Sequence, residues 1–287
     1  MLVGLLAGGI WRWKTRQPAA IVGLLLTGAA LMALPVARAI PSEVLLGLAL
    51  LGLAGLLTNV LSHSVVLQVG VAVPGAWLIT GELAEVYSGW IVWLLFGAMA
   101  VGGTLVASGD QRLRSPILGP GLFAISLAGV FLDVPDTEEM LVLLGVMAPL
   151  VLLGWPLGLS RLGGAGSYMA VGTLIWAAAW GGIGRPGSVL GAIACLGVLL
   201  LVPLAYRGGE AISATSWPAL VAVHLVVVGV ASRVAGFRAD AWEAAVIAVA
   251  ALAAGLVATR ALIRGDDDRH QRSYDPAGAS STGMGSR

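Results

Sequence analysis

The chain has 287 residues, of which 58% are hydrophobic and 11% charged, and its mean hydropathy is +0.94. Soluble proteins carry about 25% charged residues, so composition sets a soluble fold aside and gives no basis for nucleic-acid binding. The formal net charge of +1 decides nothing by itself, because a membrane reads where Lys and Arg stand and not their sum.

Residues 1–11 are apolar but too short to span, and Arg12, Lys14 and Arg16 follow them, the reverse of the order in a signal peptide. They read as an interfacial lead-in; the alternative, a short extra span, puts the N-terminus outside. Ten spans are then predicted, at 18–37, 43–62, 64–81, 88–107, 116–132, 140–159, 165–183, 187–205, 216–235 and 241–263. At about 1.5 Å per residue, such runs cross a hydrocarbon core of roughly 30 Å as helices. The predicted fold is an all-α polytopic membrane protein.

Pro18, Pro116 and Pro218 stand where helices open, a position at which the missing N–H costs nothing. Asp136-Thr137-Glu138-Glu139 and Asp240-Ala241-Trp242-Glu243 have the spacing of a capping box, and Ser42-Glu43 starts a helix in a similar way. From Arg112 to Arg161 the chain reads as a membrane hairpin, basic at its feet and acidic at its tip between Asp133 and Glu139. The openings at 18, 116 and 218 are 98 and 102 residues apart, the spacing of a four-helix internal repeat, twice complete and once half complete. Residues 265–287 are polar, rich in Gly and Ser, and without apolar periodicity, which predicts a disordered cytoplasmic tail.

An even number of spans puts both termini on one side. Between Arg12 and Arg272 that side holds eleven Lys and Arg residues, against Arg38, Arg185, Arg233 and Arg238 on the other. That excess makes the termini cytoplasmic and the chain a multi-pass protein of the cell membrane.

Almost no ionisable residue falls inside a span, whereas proton relays and ion-coupled pumps keep carboxylates or histidines there. Glu43, Glu82, Glu85, Glu138, Glu139 and Glu243 stand at helix ends or in loops, where the helix dipole favours them. The single cysteine, Cys195, rules out an intrachain disulfide and a thiolate cluster. Asp266-Asp267-Asp268 lies in the tail, and His63, His224 and His270 share no ligand spacing, so neither a metal site nor a cofactor is predicted. No nucleophile and base are spaced for hydrolase chemistry.

Four residues remain as candidates for solute binding. Asn59 ends the second span, Gln68 starts the third, His63 lies in the turn between them, and His224 lies within the ninth. Asn59 and Gln68 stand at similar depth and line a cytoplasmic vestibule if they serve a solute; the plainer reading is interhelical hydrogen bonding, worth about 0.6 kcal/mol on average. For His224 the plainer reading is a neutral histidine bonded to a neighbouring helix. Pro74-Gly75, Pro120, Pro149, Pro156 and Pro203 interrupt helices in the manner of carriers. The glycine-rich stretches at 47–55 and 97–103 allow close helix packing or contacts in an oligomer. Trp77, Trp90, Trp93, Trp155, Trp217 and Trp242 lie mostly near span ends, as an aromatic belt does.

Ten short-looped spans in fewer than 300 residues resemble the drug/metabolite transporter superfamily, and Gly81-Glu82 followed by Trp90 and Gly97 is similar to the motif before its fifth helix. That family is built of inverted five-helix halves, whereas the spacing here gives same-facing four-helix units, so the resemblance is one of architecture. The leading expectation is a carrier or permease for a small neutral or apolar solute. A non-catalytic membrane subunit or anchor is the alternative, and a lipid-active enzyme the third. The expected partners are the lipid bilayer and a membrane protein or a second copy of the chain.

Overall fold

The computed structural model describes residues 40–57, 64–113, 118–133, 162–183, 186–205, 216–234 and 240–274, and its elements there are all helical. They are α1 (Ser42–Leu57), α2 (Val65–Leu83), α3 (Gly89–Leu113), α4 (Leu118–Asp133), α5 (Gly163–Gly181), α6 (Pro186–Ala205), α7 (Trp217–Gly229), a π-helical turn at Val230–Val234, and α8 (Ala241–Tyr274). These helices fall on eight of the ten predicted spans. The first and sixth predicted spans, residues 1–11, and the acidic tip beyond Asp133 lie outside the described residues. Among the described residues, Val65–Leu83, Gly89–Gly109 and Trp242–Arg264 are long and apolar enough to cross a membrane.

Local chemistry sets the helix ends. Ser64 accepts from the Leu67 N–H at 3.4 Å and opens α2, and Asp240 accepts from the Trp242 N–H at 2.9 Å and opens α8. Pro218 occupies the first turn of α7, as its position in the sequence predicts. At the other end, α8 continues to Tyr274, into the segment from Gly265 onward that the sequence reads as a tail. Residues 275–287 of the predicted tail lie outside the described residues.

The fold is arranged around α5. Its glycines and β-branched residues make it a poor helix former in isolation, each glycine being about 1 kcal/mol less favourable than alanine. Burial supplies what propensity lacks, for every residue from Gly164 to Ala179 is buried, with α1, α2, α3, α4 and α6 packed around them. Small residues permit the approach. A β-carbon on Gly55 would stand 2.5 Å from the Gly164 carbonyl oxygen, and one on Gly172 would stand 2.6 Å from Leu51 Cδ1. Gly55 meets Ala165, Gly52 meets Met169, and Leu48 and Leu51 meet Gly172, so α1 and α5 run antiparallel. At the entry to α5 the chain turns through Gly163, whose φ of 61° favours glycine.

Two polar ties lock α5 to the α2–α3 hairpin. The Tyr168 and Thr104 hydroxyls are 2.6 Å apart, with the Tyr168 ring seated over Gly103, and the Tyr87 hydroxyl donates to the Ala179 carbonyl. Gly102 meets Val171 and Gly103 meets Tyr168, so α3 is also antiparallel to α5. On the far side of α5, α6 carries α4, α7 and α8. Gly197 receives Leu252, Gly255 receives Leu201 and Val227, and Gly129 faces Cys195 and Val228.

Large apolar side chains also cover the outside. Trp77, Trp90, Trp93, Val226, Val249 and Val257 are each more than half exposed, which suits lipid as the surrounding solvent. Phe96 packs edge to face against both Trp77 and Trp93, whose own rings are tilted by 57° to each other.

Two predictions test this packing. Gly103→Ala should destabilise the protein by about 1–3 kcal/mol, since its β-carbon would overlap the Tyr168 ring, while Gly70→Ala, with open space at that position, should be neutral or gain up to about 1 kcal/mol. Thermal unfolding in detergent reads both changes. Burial pushes the Tyr87 phenol up to about 12. An unfolded tyrosine ionises near about 10, so between the two values the folded state holds the proton and stability falls as pH rises. The loss of melting temperature across that alkaline window should be smaller in Tyr87→Phe than in the wild type.

Candidate functional site

Hydroxyl groups inside membrane helices normally bond back to their own backbone. Several here do so: Thr80 donates to the Ala76 carbonyl at 2.8 Å, Ser167 to Gly163 at 2.7 Å, and Ser232 to Val228 at 2.7 Å. Three others do not. Ser126 Oγ on α4, Thr173 Oγ1 on α5 and Thr259 Oγ1 on α8 are buried without a hydrogen-bond partner among the described residues, as are Trp176 Nε1 and His224 Nε2. A buried polar atom left unbonded costs about 1–3 kcal/mol, so each of these calls for an explanation.

On the predicted spans some of them fall in one layer. Ser126, Thr173 and His224 each lie within two residues of the centre of the spans predicted at 116–132, 165–183 and 216–235. Each is fully buried, and their three helices all pack on α6. Sequence reasoning singled out His224 but missed Ser126 and Thr173. A lone helical hydroxyl reads as satisfied, and only the packing of the folded chain distinguishes the hydroxyls that are not.

The imidazole of His224 is oriented from its own helix. Nδ1 bonds to the Leu220 carbonyl, which can only accept, and that assigns the ring hydrogen to Nδ1. In the uncharged ring Nε2 is then a lone-pair acceptor. Six residues further on, α7 passes into the π turn at Val230–Val234, an irregularity that occurs often at functional sites. The expected neighbour-helix bond to His224 is not what the structure has; the bond is within α7.

The remaining predicted residues lie elsewhere. Asn59 and His63 are outside the described residues. Gln68 is half-buried in the first turn of α2, where its backbone N–H reaches the Ser64 carbonyl. Helix α2 packs on α1, α3 and α5, while α7 packs on α4, α6 and α8, so Gln68 and His224 stand on opposite sides of the central helix.

Chemically, the mid-depth layer offers hydrogen bonds and no fixed charge. The buried polar side chains among the described residues are all Ser, Thr or His. No group of three or more His, Cys, Asp or Glu stands together among them. Comparison with known protein families, with characterised proteins and with solved structures finds no match.

Because Nε2 contributes no bond to the fold, His224→Leu should leave the unfolding free energy within about 1 kcal/mol of the wild type. A loss of several kcal/mol on detergent melting would mean that the imidazole holds helices together.

Proposed function

We propose that the chain is a carrier or permease of the cell membrane for a small neutral solute, with ten spans and both termini cytoplasmic. The observation that carries this reading is His224, fully buried at mid-depth with an acceptor nitrogen that nothing in the described fold uses. Polar groups are expensive at that depth and are kept for work, and carriers bind their solutes near the midplane. The absence of buried charge among the described residues favours a neutral solute over an ion.

Helix direction supports the span count. Since α3 and α5 are antiparallel, the chain between them must cross the bundle an even number of times, and α4 supplies one crossing. A span at 140–159 supplies the second. The four-helix repeat would pair α4 with α7, the two helices that carry Ser126 and His224. Asn59, His63 and Gln68 fit the cytoplasmic rim of the α1–α2 hairpin, away from the mid-depth layer.

Reconstituted into proteoliposomes, the wild-type chain should speed osmotic swelling in at least one of glycerol, erythritol, urea or acetamide, and His224→Leu should remove that gain. Swelling no faster than in protein-free vesicles, together with a stoichiometric membrane protein retained on gentle purification, would favour the subunit reading. In a Cys195→Ala background, Asp136→Cys should label with an impermeant maleimide from outside and Ser280→Cys only after the membrane is opened. Labelling of both from the same side overturns the topology.

A further inference from the structure

We infer that Ser126 and His224 form the two halves of one binding site between α4 and α7, and that its ligand is a small uncharged molecule bearing a hydroxyl group. The inference rests on the carrier reading for its purpose, but on packing for its geometry.

The helix contact fixes the geometry. A β-carbon on Gly129 of α4 would overlap Val228 Cγ1 of α7 and stand 2.7 Å from Cys195 Sγ, so the faces bearing Gly129 and Val228 are turned toward each other. Four-residue links join α3 to α4 and α5 to α6, so each pair is antiparallel; with α3 antiparallel to α5, α4 runs against α6. Gly197 meets Leu252 and Gly255 meets Leu201, so α6 and α8 are parallel, and α7, joined to α8 by a short link and packed on it, runs against both. Helices α4 and α7 are therefore parallel, which is also the direction that ten alternating spans give to the fifth and the ninth.

Stepping back one turn on each helix leads to Ser126, three residues before Gly129, and to His224, four residues before Val228. Positions three and four apart share a helix face, and the difference in rise is about 1.5 Å. Both side chains are wholly buried, and Ser126 Oγ and His224 Nε2 each lack a partner, including each other. Two unsatisfied polar atoms on facing helices, about 1.5 Å apart in height, can both be bonded by one small ligand held between them.

The chemistry of the two groups selects the occupant. With the ring hydrogen directed at the Leu220 carbonyl, Nε2 accepts, so the ligand must donate to it. The Ser126 hydroxyl both donates and accepts, so it suits the same ligand oxygen or an adjacent one. An alcohol meets both demands. An ether, which accepts but has no hydrogen to give, meets only one. A charged ligand would enter a layer in which the described fold offers no counter-charge.

Two measurements test the site. Ser126→Cys and His224→Cys, combined in a Cys195→Ala background and oxidised with copper phenanthroline, should form an intrachain disulfide detectable by mass spectrometry. A Ser126→Cys pairing with Ser232→Cys in its place would mean that α4 and α7 are antiparallel, and would overturn the site. Binding is read in detergent as the rise in melting temperature with glycerol, erythritol or 1,2-dimethoxyethane, taken as the difference between wild type and Ser126→Ala at equal concentration. That difference cancels the general stabilising effect of polyols.

The expected result is a positive difference for at least one of the alcohols and none for the ether. It should recover in Ser126→Thr, with apparent affinity about tenfold weaker in Ser126→Ala, as loss of one buried hydrogen bond predicts. Without ligand, Ser126→Ala should melt at or above the wild-type temperature, because it removes an unsatisfied group. No difference for either alcohol, or an equal difference for the ether, overturns the proposal. The two readings fail separately: an alcohol-dependent shift without vesicle swelling removes the carrier and keeps the site, whereas swelling indifferent to Ser126→Ala removes the site and keeps the carrier.

Discussion

The structure depends on one helix being accepted on all sides by its neighbours. From Gly164 to Ala179, α5 has no exposed face, and the contacts that enclose it are made where a side chain is missing. Gly55 lies against the backbone of Gly164 and Ala165, Gly103 lies under the Tyr168 ring, and Gly172 makes room for Leu48 and Leu51. In lipid, apolar surface gives helices little reason to associate, because hydrocarbon solvates leucine as well as another helix does. Close approach and a few hydrogen bonds must hold the bundle instead. The pairs Tyr168–Thr104 and Tyr87–Ala179 supply such bonds on the side of α5 that faces the α2–α3 hairpin.

On the other side of α5 the accounting changes. Around α6, glycine again opens the contacts, at Gly129, Gly197 and Gly255, but several hydroxyls are left without partners and one imidazole nitrogen is idle. Both halves have hydroxyl-bearing residues of the same kind, so residue type does not explain the difference. Thr80, Ser167 and Ser232 close their own hydrogen bonds, whereas Ser126, Thr173 and Thr259 do not.

Much of the architecture was legible from residues alone. Runs of apolar side chains located eight described helices to within a few residues in most cases, because the bilayer fixes span length and Pro218, Ser64 and Asp240 mark the openings. The central role of α5 was not legible. A helix apolar on every face has no periodicity to reveal which side is buried, and α5 is less hydrophobic than α2, α3 or α8, whose exposed Trp77, Trp93 and Val249 face outward. The helical run to Tyr274 was not legible, because the residues past Gly265 lack apolar periodicity. At the candidate site His224 stood out by rarity, while Ser126 did not, since a serine in a span carries no sign of whether its hydroxyl closes on its own helix.

The π turn gives His224 a setting that an ordinary helix would not. Ala231 and Ser232 inside the turn are buried, and the turn packs against α4, α6 and α8, so α7 is gripped on three sides just beyond the histidine. Val228 lies at that junction: its carbonyl accepts from the Ser232 hydroxyl, and its side chain meets the bare backbone at Gly129. A helix held this firmly at one end and bonded through Nδ1 to Leu220 at the other holds the imidazole in place without using Nε2. Pre-set geometry of this kind lowers the ordering cost of taking up a ligand.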